Sequence, residues 1–320
     1  MTMTKEELLV LFQEKISGYL PEHIRNDCTV EVVEVMKSND TLLKGLFFNR
    51  GENIPGQTFY IEGIYNEYLD GESLEMLMQD LAGAVEESWD FEVPLDFTVA
   101  KYEDVKDKLT FQLVDAQCNR EMLKECVHEK MGNDLAMICY VAVQKDNGYM
   151  RALVSNNMME LLGVDSDQII KDAKASMEKQ FPAMLNCPQD LLKDIMESGR
   201  PVNLLEQPDV KLENKLYALS NEGFFMGASS IMYEGIQEKL GNMFEGNYYV
   251  IPSSNMEVML IPAKGAHDVS KLLEMLREGN ETLVEPDEFL SNRLFMYDRG
   301  EKMLAEVTTP NRGRNLEWER

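Results

Sequence analysis

The strongest constraint on the fold is a pair of apolar segments that flank an Asn-Gly turn. Residues 135–143 are apolar on both faces of an extended chain, and residues 149–154 form a second extended segment after Asn147 and Gly148. An Asn-Gly pair between two such segments is typical of a two-residue β-hairpin, because both turn positions need a positive φ angle. A strand that is apolar on both faces belongs in the middle of a covered sheet. The sequence therefore predicts a central strand followed by a return strand in an antiparallel hairpin.

The order of the remaining elements indicates the fold class. The chain begins with a helix opened by a capping box of Thr4 and Glu7, followed by three extended segments and an amphipathic helix over residues 74–89. Short strands and helices follow, and residues 227–233 are predicted as a further strand. Antiparallel strands with helices grouped around them favour the α+β class.

Chain length and local composition suggest how these elements divide into domains. A chain of 320 residues suits about two domains, and we expect two units, each a mostly antiparallel sheet with helices packed on it. The N-terminal unit is expected to span residues 1–115 and the C-terminal unit residues 116–320. Residues 199–208 form a candidate sub-boundary, and the polar residues 310–320 predict a mobile tail.

The charge of the chain limits its partners. Fifty-seven acidic residues against thirty-one lysines and arginines give a formal net charge of −26. Such a chain repels nucleic-acid phosphates and anionic membrane surfaces, so neither is expected as a partner. A protein partner with a basic or apolar surface fits the charge, although an ordinary solvated surface explains it more simply. The composition leaves the oligomeric state open.

The N-terminus and the cysteines indicate the cytoplasm. Residues 1–7 lack the basic start and apolar core of a secretory signal. No segment has the roughly 18 consecutive apolar residues of a membrane span. The five cysteines are widely spaced and odd in number, which fits free thiols in a reducing compartment better than a disulfide framework. We therefore expect a cytoplasmic protein.

Cys126 and His128 are the strongest candidates for metal ligands. They lie two residues apart, with Cys118 and Cys139 nearby in the sequence. A zinc site needs about four such ligands at short spacings, and Cys139 falls in the apolar segment of the hairpin, where buried thiols are common. We therefore predict no metal. The sequence also lacks the glycine-rich motifs that bind phosphates, and we predict no cofactor.

Ser253, Ser254 and Glu257 are the strongest candidates for catalysis. A nucleophilic serine needs a neighbouring base and oxyanion donors, and Glu257 follows the Pro-Ser-Ser turn beside apolar residues that would raise its pKa on burial. The simpler interpretation is that the serines form hydrogen bonds within their turn and that Glu257 is exposed or ion-paired. We therefore assign no catalytic residue.

Five short segments resemble a known protein family. They are residues 114–116 (VDA), 119–123 (NREML), 227–233 (GASSIMY), 248–254 (YYVIPSS) and 257–258 (EV). In this order they resemble the bacterial family called domain of unknown function 5688, which is common in anaerobic gut Firmicutes. The resemblance covers nearly the whole chain.

The resemblance implies a cytoplasmic bacterial protein, and it brings no activity, cofactor or functional residue. Members of that family often have a histidine before the glutamate of the last segment, whereas this chain has Met256, which weakens a general base or metal ligand there. The leading hypothesis is a non-catalytic interaction or regulatory protein, whose acidic surface or methionine-rich groove (22 methionines in the chain) binds a partner. The alternatives are a hydrolase or a small-molecule sensor with a site near Ser253, Ser254 and Glu257.

Overall fold

The computed structural model describes residues 2–51, 56–89, 101–131, 134–145, 148–252, 254–265 and 268–307. The chain divides into two compact units, Met1–Ala100 and Lys101–Arg320. The tail predicted at residues 310–320 and the candidate Ser253 lie outside the described residues.

The N-terminal unit contains a three-stranded antiparallel sheet and helices that pack on it. Its helices and strands are α1 (Lys5–Lys15), α2 (Glu22–Asp27), α3 (Ile61–Leu69), α4 (Leu74–Trp89), β1 (Thr29–Met36), β2 (Leu42–Asn49) and β3 (Gln57–Tyr60). The strand order is β1-β2-β3. The predicted capping box is present, because the Thr4 hydroxyl accepts from the Glu7 amide and the Glu7 carboxylate accepts from the Thr4 amide.

Helical spacing decides which residues form the core of this unit. Leu77, Leu81 and Val85 follow one face of α4 and are buried together with Phe12 of α1 and Phe48 of β2. Residues three and four apart lie on the same side of a helix, so the apolar stripe of α4 covers the sheet as one surface.

The C-terminal unit alternates short helices with short strands. Its helices are α5 (Tyr102–Val105), α6 (Arg120–Glu125), α7 (Asn156–Leu162), α8 (Ser166–Gln180), α9 (Leu191–Ser198), α10 (Ile236–Met243) and α11 (Val269–Leu283). Its strands are β4 (Leu109–Asp115), β5 (His128–Met131), β6 (Leu135–Lys145), β7 (Gly148–Leu153), β8 (Ala183–Asn186), β9 (Tyr217–Asn221), β10 (Tyr248–Ile251), β11 (Val258–Pro262), β12 (Phe295–Asp298) and β13 (Met303–Glu306). None of the described helices is long and apolar enough to cross a membrane.

These strands form two antiparallel sheets. In the described residues one sheet has the order β4-β6-β5, with β7 also paired to β6, and the other has the order β13-β12-β10-β11-β9-β8. The predicted hairpin is confirmed, since β6 and β7 pair up to Lys145 opposite Gly148. The turn residues Asp146 and Asn147 lie outside the described residues. Antiparallel sheets with packed helices confirm the α+β class.

The division between the units falls before the one expected at residues 115 and 116. Every residue of β4 is buried, and the strand pairs with β6 from Leu109 opposite Val141 to Asp115 opposite Leu135. Residues 109–115 are therefore part of the C-terminal unit. Its residues pair with partners 20 to 32 residues further along the chain, a pairing that local sequence patterns do not reveal.

The strand predicted over residues 227–233 is wrong, because Gly227–Met232 form a 3₁₀ helix. The Ser230 hydroxyl donates to the Gly227 carbonyl at 2.7 Å, and the Ser229 hydroxyl accepts from the Leu113 amide at 3.0 Å. Ser229 thereby satisfies a donor on the free edge of β4, which would otherwise be open to further strand pairing. A short buried apolar run has the same sequence pattern whether it is a strand or a helix.

Candidate interaction surface

Ser254 lies in the turn between β10 and β11, and its side chain serves that turn. The Ser254 hydroxyl oxygen accepts from the Met256 amide at 3.2 Å. The Met256 carbonyl in turn accepts from the Ser220 hydroxyl at 2.7 Å. These are the local hydrogen bonds that serine commonly forms in turns. In the described residues no histidine is hydrogen-bonded to Ser254.

Gly227 packs directly against this turn. A Cβ atom at position 227 would overlap the Ser220 hydroxyl and the Met256 carbonyl. Only glycine lets the backbone approach so closely. The 3₁₀ helix that begins at Gly227 and the turn of Ser254 therefore share one tightly packed contact.

Glu257 follows the turn and is half-buried. Burial raises the pKa of its carboxyl group above the usual range. No ion pair or hydrogen bond of this carboxyl is formed with another described residue. The structure therefore places Ser254 and Glu257 in one turn without joining them to a base or an oxyanion donor in the described part of the chain.

Cys126 and His128 lie next to each other, and both are involved in structural contacts. His128 Nδ1 is 3.0 Å from the Cys126 carbonyl oxygen. Burial raises the pKa of Cys126 and that of Cys139 to about 12 each, which disfavours the thiolate that a metal needs. The described residues contain no group of three or more histidine, cysteine or acidic side chains that could hold a metal ion. All five cysteines are free thiols.

A cluster of three aromatic rings forms elsewhere in the C-terminal unit. Tyr149 of β7, Phe181 at the end of α8 and Phe225 after β9 have ring centroids 4.9 Å apart in every pair. Phe181 is fully buried, Phe225 is half-buried and Tyr149 is exposed. Aromatic pairs at this spacing add stability beyond the area they bury. The three rings, which we call the aromatic trio, therefore extend from the core to the surface.

Residues 222–226, which we call the aromatic loop, add a further exposed ring, that of Phe224, next to Phe225 of the trio. Phe224 and Met226 adopt left-handed backbone conformations with φ angles of 56° and 50°. Met226 is buried, whereas the ring of Phe224 is 45% exposed. A left-handed residue other than glycine costs roughly 1–2 kcal/mol, because its Cβ crowds the following carbonyl. The loop therefore holds an apolar ring in water at a conformational cost.

Asn221, the last residue of β9, holds the aromatic loop through its side-chain hydrogen bonds. Its side-chain amide donates to the Phe225 carbonyl at 2.8 Å, and its side-chain oxygen accepts from the Phe225 amide at 3.1 Å. The Glu222 amide also donates to the Pro182 carbonyl at 2.9 Å. These contacts fix both ends of the loop, so the exposed ring of Phe224 rests on a rigid base.

The helix α9 presents a second exposed apolar surface. Leu192, Ile195 and Met196 have helical spacing, and Leu192 and Met196 are 79% and 87% exposed. No residue of α9 is buried. This face is aliphatic, in contrast to the aromatic loop, where Phe225 is held by stacking and hydrogen bonds. Rigid aromatic side chains contribute most to protein contacts, so the aromatic loop is the stronger candidate.

The comparison with protein families gives a match along nearly the whole chain. A sequence model of a family of unknown function, DUF5688, matches residues 9–299. The chain belongs to the DUF5688 family. Comparison with curated proteins and with solved structures found no match.

Three of the five segments that resemble DUF5688 form hydrogen bonds that hold β4 within the C-terminal unit. Asp115 at the end of β4 is buried, and its carboxylate accepts from the Ser291 hydroxyl at 3.2 Å and from Arg293 Nη1 at 3.1 Å. The Asn119 side chain donates to the Asp115 carbonyl at 2.8 Å. Ser229 makes the second connection through the Leu113 amide. In these three segments Asp115, Asn119 and Ser229 are therefore used for packing in this chain.

Proposed function

We propose that this chain is a non-catalytic interaction or regulatory protein of the cytoplasm that contacts its partner through the aromatic loop. The observation that carries the proposal is Phe224, an exposed aromatic ring on a left-handed residue. Such strain persists only where the surrounding structure enforces it, and it is concentrated at binding and catalytic sites. The five free cysteines support a reducing compartment.

The rigidity of the loop supports binding in a second way. An interface side chain that must be ordered on binding costs about 0.5–1.5 kcal/mol. Asn221 and the aromatic trio hold Phe225 in the free protein, so a partner meets Phe224 on a backbone that is already ordered. Aromatic residues of this kind are the usual energetic centres of protein interfaces.

The proposal is tested by photo-crosslinking in cells that contain the full-length protein. A photoreactive phenylalanine analogue replaces Phe224 in one strain and Leu283 in another. Leu283 lies at the end of α11 and is 85% exposed, which makes it a matched apolar control. We expect one discrete crosslinked product from position 224 and none of that mass from position 283. The same products from both positions, or none from position 224, would count against the proposal.

A hydrolase or a small-molecule sensor near Ser254 and Glu257 is the second candidate, because burial raises the pKa of Glu257. A carboxyl group with a raised pKa is a common feature of enzyme sites. The test is hydrolysis of a panel of simple esters and amides by the wild type, Ser254→Ala and Glu257→Gln. Turnover that disappears in both variants would favour the hydrolase over the interaction protein.

A further inference from the structure

We infer that the partner of the aromatic loop is a basic protein segment, which places an arginine or lysine side chain over the ring of Phe224. This inference rests on the proposed function and specifies the chemistry of the partner. It is carried by three observations: the rings that the loop exposes, the carboxylates close to them in the sequence, and the absence of a lysine or arginine over these rings in the described residues.

The exposed rings offer faces that suit a cation. A guanidinium or ammonium group within about 6 Å of an aromatic ring is attracted by the negative face of the π system. The chain uses this contact elsewhere: Arg50 lies 4.7 Å from the ring centroid of Trp89, and Arg151 lies 4.8 Å from that of Tyr140. In the described part of the chain, no lysine or arginine lies over Phe224, Phe225 or Tyr149.

Two acidic residues are close to these rings along the chain. Glu222 belongs to the aromatic loop and is exposed. Glu178 of α8 is also exposed, and it is close enough to Tyr233 for its charge to add to the effect of burial, which raises the pKa of that hydroxyl. Glu178 precedes Phe181 of the aromatic trio by three residues along the chain, and the Tyr233 hydroxyl donates to the Phe181 carbonyl at 2.9 Å.

The charge of the whole chain favours the same partner. A protein with a net charge of −26 attracts a basic segment over a long range and repels an acidic one. An uncharged apolar segment could cover Phe224, but it would leave the carboxylates of Glu178 and Glu222 without a counter-charge near the interface. A segment that combines cations with apolar residues satisfies both groups.

The test measures binding of three labelled seven-residue peptides to the full-length protein by fluorescence anisotropy at physiological ionic strength. One peptide alternates arginine with leucine, one replaces each arginine by glutamine, and one replaces it by glutamate. We expect the arginine peptide to bind about tenfold tighter than the glutamine peptide, and the glutamate peptide not to bind.

Variants connect this binding to the loop. Phe224→Asn removes the ring, keeps the charge, and retains a residue that tolerates the left-handed backbone, so it should weaken the arginine peptide about fivefold to tenfold. Glu222→Gln should weaken it about twofold to threefold. Glu75→Gln on α4, another exposed carboxylate, is the matched control and should have almost no effect. These three results together would support the inference.

The inference and the proposed function can fail separately. Equal binding of the arginine and glutamine peptides, both lost in Phe224→Asn, would overturn the basic partner and keep the aromatic loop as an interaction site. If the arginine peptide binds Phe224→Asn as tightly as it binds the wild type, the binding is a general effect of charge, and this result would also overturn the inference. The proposed function fails on the crosslinking result at position 224, which does not depend on any peptide.

Discussion

Two turns of the six-stranded sheet hold their side chains in opposite ways. The turn after β10 contains residue types that suit catalysis, yet the Ser254 hydroxyl accepts a hydrogen bond from its own turn. The aromatic loop after β9 contains no serine or other nucleophile, yet it holds Phe224 in solvent on a left-handed backbone. The difference shows that residue type alone does not identify a surface site. The hydrogen bonds and the backbone conformation of the turn decide whether a side chain is engaged within the turn or exposed to solvent.

The largest effect is expected at Gly227, where the two turns meet. Gly227→Ala places a methyl group against the Ser220 hydroxyl and the Met256 carbonyl, and we expect a loss of about 3 kcal/mol in the free energy of unfolding. Urea denaturation measures it. Gly83→Ala, in the middle of α4 with open space around its Cβ position, should instead stabilise the protein by about 0.5–1 kcal/mol. If Gly227→Ala leaves the free energy of unfolding unchanged, the two turns do not share a tightly packed contact.

The next effect separates the aromatic loop from the Ser254 turn. Asn221→Ala removes both side-chain hydrogen bonds to Phe225, and we expect a loss of about 2 kcal/mol, since each such bond contributes about 1 kcal/mol. Ser254→Ala removes only the solvent-exposed hydrogen bond from the Met256 amide, and the free energy of unfolding should fall by less than about 1 kcal/mol. Thermal denaturation of the two variants compares them directly, and equal losses would contradict the assignment of Asn221 as the support of the loop.

A smaller effect with the opposite sign is expected at Phe224 itself. Phe224→Asn gives up an exposed ring and gains a residue that accepts a positive φ angle, so the free energy of unfolding should stay the same or rise by up to about 1 kcal/mol. Urea denaturation at neutral pH checks this. A clear loss of stability would mean that the Phe224 ring stabilises the fold, and the proposal that it is exposed for binding would then fail.

The pH dependence of Glu257 gives the most delicate comparison. Because burial raises the folded-state pKa of this carboxyl, its favourable contribution is complete below the unfolded-state pKa and is lost as the pH rises through the folded-state value. Glu257→Gln should therefore stabilise the protein more at pH 7 than at pH 4, relative to the wild type. Unfolding curves at both pH values measure the difference. Identical shifts at the two values would show that Glu257 is solvated.

The sequence predicted the general fold because its signals were local. The capping box of Thr4 and the hairpin around Gly148 depend on residues next to each other, and the structure contains both. The 3₁₀ helix at Gly227–Met232 was missed because its backbone is set by contacts with Met256 and Leu113, which lie far along the chain, as well as with Ser220. A pattern of short apolar and small residues does not carry that information.

The aromatic loop was missed for a different physical reason. Phenylalanine is unfavourable at a positive φ angle, so local preferences argue against the conformation that Phe224 adopts. The signal that could have pointed to it is the order of Asn221, Gly223 and two phenylalanines, because a turn sequence followed by large apolar residues is unusual on a surface. By contrast, the local use of the Ser254 hydroxyl follows from the ordinary preference of serine for turns.

Three of the five native thiols are buried, which helps selective chemical labelling of the loop. Cys126, Cys139 and Cys187 are buried, and the pKa of each is raised by burial, so maleimides and other reagents that need an accessible thiolate react with them slowly. A Phe224→Cys variant would add an exposed thiol at the tip of the loop. Cys28 and Cys118 are partly exposed, so both are replaced by serine before one fluorophore on this thiol reports on the loop, while the three buried cysteines stay in place.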